Sequence, residues 1–122
     1  MEMVTGTLVV ESLTSGADIS VPLTVQRIHR VPAGVVEAGQ PPEWTLIDFA
    51  CSDEHVDELA AQLARSLASG PWYADYADEQ VKWVIFAGKV FRYTRADTAA
   101  HEEALAFARQ AGVPEAQIDW PR

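Results

Sequence analysis

Of the 122 residues, 18 are Asp or Glu and nine are Lys or Arg, a formal net charge of −9. Nucleic acids and anionic membrane surfaces are held mainly by Lys and Arg; with only two lysines, Lys82 and Lys89, neither is an expected partner. A single cysteine, Cys51, rules out an intramolecular disulfide.

The length suits one α+β domain over residues 1–122. The start, MEMVTGTLVVES, lacks the basic region and apolar run of a signal peptide. No stretch reaches the roughly 20 apolar residues of a membrane helix. A cytoplasmic location is expected.

Thr5–Glu11 reads as a strand, and Thr14–Asp18 as a turn cluster. From Ile19 the pattern alternates, with Ile19, Val21, Leu23 and Val25 on one face. That period predicts a half-buried strand. Pro22 has no backbone donor and places its first part at a sheet edge. The segment from Pro32 to Glu43 holds three prolines and two glycines and reads as a loop. Trp44–Cys51 is apolar on both faces and predicts a central strand.

Ser52–Ser69 is the clearest helix. Val56, Leu59, Ala60, Leu63, Ala64, Leu67 and Ala68 form one apolar stripe, and Gly70-Pro71 stops it. Trp72–Asp78 follows as a strand. Val81–Ala87 and Val90–Arg95 predict a hairpin turning at Gly88-Lys89, with Phe86 opposite Phe91 and Val84 opposite Tyr93. A second helix is expected over Asp97–Ala111, ended by Gly112, with a tail anchored by Ile118 and Trp120. This order predicts an antiparallel sheet with both helices on one face: a ferredoxin-like sandwich carrying an N-terminal β extension.

Three places suggest chemistry. Cys51 precedes a helix start and His55 follows one turn later, the spacing of a reactive thiol and its base. Against that, free cysteine is among the most buried residue types. In Trp72–Asp78, Tyr73 and Asp75 share a face, a pairing able to exchange protons; core packing of the rings competes with that role. Lys82, Lys89, Arg92 and Arg95 form a basic stripe on the hairpin, suited to a carboxylate or other anion. His29, His55 and His101 fit no metal-binding spacing, and no dinucleotide, phosphate-loop or nucleophile-elbow motif occurs. No metal or cofactor is expected.

The runs WYADY, VIFAGKVFRY and GVPEAQIDWP, with GTLVVESL and EWTLIDF, resemble small bacterial proteins of similar length and unknown function. That resemblance brings no activity, cofactor or site residue with it.

The features favour a non-enzymatic binding or interaction protein meeting a protein partner through its acidic surface. The alternative is a small-molecule-binding protein or cofactor-free enzyme. Its pocket would form where an apolar sheet face meets a second copy in a homodimer. Trp44, Tyr73, Asp75, Trp83 and Arg92 are the candidate lining residues.

Overall fold

The helix expected over Ser52–Ser69 is shorter, Val56–Ser66, with Ser52 in a strand, and the strand expected from Ile19 begins at Thr24 and runs to Pro32. The computed structural model describes residues 3–32 and 40–118. Its strands are β1 (Met3–Val9), β2 (Thr24–Pro32), β3 (Glu43–Ser52), β4 (Ala74–Ala77), β5 (Val81–Phe86) and β6 (Lys89–Thr94). Its α-helices are α1 (Val56–Ser66) and α2 (Thr98–Gln110). All strand pairs are antiparallel, in the order β2-β3-β1-β4-β5-β6. The α+β class and the antiparallel sheet are as expected.

The helix stripes pack as their periodicity requires. Val56, Leu59, Ala60 and Leu63 of α1 are buried against Val4, Phe49, Cys51, Tyr76, Trp83 and Ile85. Each large apolar side chain so buried contributes about 1.5–3 kcal/mol. A 3-10 turn, Asp53–His55, leads into α1. In α2, the Asp97 side chain accepts a 3.0 Å hydrogen bond from the Ala100 N–H, satisfying a helix-start donor. Ala104 and Ala108 are fully buried, so α2 lies close on Val84, Phe86 and Tyr93.

Those two partner sets overturn the sandwich. Successive strand residues point to opposite sheet faces. Trp83 and Ile85 of β5 pack with α1, whereas Val84 and Phe86 pack with α2. The helices therefore cover opposite faces, and the ferredoxin-like arrangement is not adopted. Nor is the N-terminus an extension: β1 is an inner strand, hydrogen-bonded to β3 on one side and β4 on the other.

Two smaller expectations also shift. The alternating residues Ile19, Val21 and Leu23 do pack on the α1 core, but outside any strand. Gln62 of α1 substitutes for a strand partner: its Oε1 accepts from the Ser20 and Val21 N–H groups at 2.9 and 3.2 Å. The hairpin turns one residue earlier, at Ala87-Gly88, because Gly88 takes φ +71°, a conformation costly for residues with a Cβ. Val84 consequently opposes Phe91, and Lys82 opposes Tyr93. Most of the loop after Pro32 (33–39) and the Trp120 anchor lie outside the described residues.

Candidate functional site

Thr7 sits where the site is organised. It is paired with Asp48 of β3 on one side and Asp75 of β4 on the other. Cross-strand partners share a face, so both carboxylates stand beside Thr7 on the face that α2 partly covers. The core contacts of α2 lie on β5 and β6. Over β1 and β3 the same face holds a cavity of about 410 Å³. Its floor is Thr7, Val9 and Leu46; Trp44, Trp72, Tyr73 and Asp75 stand around it, with Gln117 at one end.

The walls are fixed by their own bonds. The Trp44 and Trp72 rings meet at 5.4 Å, tilted by 52°. Trp44 Nε1 donates to the Pro41 carbonyl at 3.1 Å. The Tyr73 hydroxyl donates to the Gln117 carbonyl, tying the segment after α2 to the cavity. Gln117 Nε2 donates to Gln40 Oε1 at 3.2 Å, and Gln40 Nε2 to the Pro71 carbonyl at 3.1 Å.

The charges beneath are paired. Lys82 Nζ lies 2.6 Å from Asp75 Oδ2, with the lysine side chain 5% exposed and the aspartate 27%. Thr7 Oγ1 donates to Asp48 Oδ1 at 2.8 Å. His29 Nε2 lies 3.5 Å from Asp48 Oδ2 but is out of line for a hydrogen bond, and that nitrogen is buried without one. Nearby on β3, the Thr45 N–H and hydroxyl bind the Glu11 carboxylate at 2.6 and 2.8 Å. Burial pushes the Glu11 carboxyl up, but these bonds prevail and hold it below its ordinary value.

The structure thus brings Trp44, Tyr73 and Asp75 together and separates the other two candidates. Trp83 is buried on the α1 face, stacked on Tyr76 at 5.3 Å. Arg92 lies over the Trp83 ring at 5.5 Å on that same face. Both belong with α1 because they alternate with Val84 and Phe91 along their strands. The basic stripe is divided likewise: Lys82 binds Asp75, Lys89 lies over Phe91, and Arg95 Nη1 donates to the Asp78 carbonyl.

The Cys51 thiol donates to the Ser52 carbonyl at 3.4 Å. It is wholly buried in the α1 core, and desolvation raises its pKa, the reverse of activation. His55 Nε2 faces Glu54 Oε1 at 3.4 Å. The Tyr73 hydroxyl and the Asp75 carboxylate are bonded to different groups, the Gln117 carbonyl and Lys82.

Sequence reasoning missed Thr7, Val9, Leu46 and Trp72. The first three carry no chemical signal, and their convergence depends on which strands pair. Strand alternation assigns Trp72 to the opposite face from Tyr73, but both lie before β4, where that alternation does not hold.

A second hollow of about 490 Å³ is polar and borders Thr14, Gly16, Gln62, Arg65 and Ser66. Its groups tie the loop to α1: the Thr14 N–H and hydroxyl both donate to the Ser66 carbonyl. The first cavity is therefore the candidate site. No protein-family model, curated protein or solved structure matches the chain. Among the described residues, no helix is long and apolar enough to cross a membrane.

Proposed function

We propose that this chain is a small-molecule-binding protein whose ligand occupies the cavity over β1 and β3. The observation that carries this reading is the lining itself. Trp44, Trp72 and Tyr73 stand with Asp75 around about 410 Å³, beside the α2 core on which Tyr73 also packs. Ligand sites are commonly concave and apolar, with a few placed polar groups, and span about 300–1,000 Å³. Binding is favoured over catalysis because Asp75 is paired with Lys82 and Asp48 accepts from the Thr7 hydroxyl.

Native mass spectrometry of protein purified from its own host tests this. A reproducible small-molecule adduct is expected, absent from a Leu46→Trp variant that fills the cavity floor. The same spectrum reads whether a second copy is present. Wild-type protein that carries no adduct, or an adduct that persists in the variant, overturns the reading.

A second reading has its own support. Asp53, Glu54, Asp57 and Glu58 are all exposed around the start of α1, an acidic surface suited to a basic protein partner. Capture of such a partner should weaken as salt rises. Salt-independent capture counts against it.

A further inference from the structure

The cavity presents acceptors, and its side-chain donors named above, Trp72 apart, are bonded within the chain. The Trp44 indole, Tyr73 hydroxyl and Gln117 amide each donate to another part of the chain. Thr7 donates to Asp48, and the Lys82 ammonium is held by Asp75 Oδ2. Asp75 lines the cavity and is 27% exposed, and its Oδ1 takes no hydrogen bond from the described residues. Trp72 adds one neutral N–H.

Charge points the same way. Asp75 lines the cavity with the buried Lys82 ammonium on its Oδ2, while Asp48, across Thr7, faces His29 at 3.5 Å and is the register partner of Arg27. The whole chain carries −9, and such a field raises the local concentration of cations. The rings supply the remaining preference, because aromatic faces attract both flat apolar bodies and cations.

We infer that the ligand is a planar cation: an aromatic or heteroaromatic ring bearing a protonated amine. Its ring lies among Trp44, Trp72 and Tyr73, and its nitrogen donates to Asp75 Oδ1. This inference rests on the cavity reading above and adds the ligand's class.

Three probes with one ring system and different charge test it on the intact chain. Calorimetry compares tryptamine, 3-methylindole and indole-3-acetate at low and high salt. Tryptamine should bind about tenfold or more tighter than indole-3-acetate, the difference expected from about 1.4 kcal/mol. The margin should narrow as salt rises. Asp75→Asn should remove the preference. Because that change strands the buried Lys82, the double variant Asp75→Asn with Lys82→Met is measured beside it, and it should lose the preference too.

Equal binding of amine and acid overturns the assignment of charge. If Leu46→Trp abolishes that unselective binding, the cavity reading stands without it. Selectivity that survives in both Asp75 variants also overturns the inference. If none of the probes binds, the ligand class is wrong, and the host-derived adduct decides the cavity reading separately.

Discussion

Two rows of residues, one position apart on the same five strands, have opposite characters. On the α1 face, Phe49, Gly6, Tyr76, Trp83 and Arg92 lie side by side across β3, β1, β4, β5 and β6. On the other face the neighbouring row is Asp48, Thr7, Asp75, Val84 and Phe91. In the first row the rings close over a glycine. Phe49 meets Tyr76 edge to face at 6.1 Å, and Tyr76 stacks on Trp83. In the second, two carboxylates flank a hydroxyl, and only the Val84–Phe91 end joins the α2 core. A sheet face becomes a site where side chains stop short of filling it. Here one row is closed by its rings and a helix, and the next is left with a cavity.

The largest expected effect lies in the closed row. A Cβ on Gly6 would stand 2.3 Å from the Asp75 carbonyl oxygen and 2.5 Å from Tyr76 Cβ. Backbone cannot swing aside as a side-chain tip does, so Gly6→Ala should lower stability by about 3 kcal/mol. Urea unfolding reads this. A loss under about 1 kcal/mol, the level of an ordinary substitution, would show that β1 and β4 can separate there.

Next comes the ion pair of the open row, whose partners differ in depth. Asp75→Asn leaves a 95%-buried lysine side chain without its counter-charge, whereas Lys82→Met leaves an aspartate that water reaches. The first should cost about 3 kcal/mol and the second about 1 kcal/mol or less. Equal losses in thermal unfolding would mean that depth does not decide the cost.

The smallest expected effect sharpens the contrast by pH. The Tyr76 hydroxyl donates to the Val56 carbonyl at 2.7 Å. Burial, with the nearby Cys51 and Asp57, raises its pKa well above the ordinary value of 10.0. A folded-state pKa raised in this way gives stability that is whole below pH 10 and falls as pH rises beyond it. Tyr76→Phe should cost about 1 kcal/mol at neutral pH and flatten the alkaline decline. An unchanged alkaline slope in that variant would assign the decline to other groups, such as Cys51, whose thiol is raised in the same direction.

Local pattern made the helices and most strands legible. The α1 and α2 stripes, the Asp97 cap and the hairpin all follow from residues close in sequence. The face each helix covers does not. β5 is apolar on both sides, with Trp83 and Ile85 on one and Val84 and Phe86 on the other. Such a strand accepts a helix on either side, and nothing local chooses between them. The site was half legible for the same reason. Trp44, Tyr73 and Asp75 have the right chemistry and were visible as candidates. Their meeting depends on Thr7 pairing with both Asp48 and Asp75. Trp83 and Arg92 share that chemistry but point the other way.

The place of β1 at the centre of the sheet also bears on how the chain is made. Its partners are β3 and β4, and the farther pairing joins Thr5 to Ala77. On the ribosome β1 must wait for β4, which is made after β2, β3 and α1. Until then one edge of β1 is open to whatever strand it meets, and pairings so distant in sequence form slowly. A nascent chain released after residue 73 should leave the β1 amides that face β4 weakly protected against hydrogen exchange, while α1 has all of its own hydrogen-bonding residues.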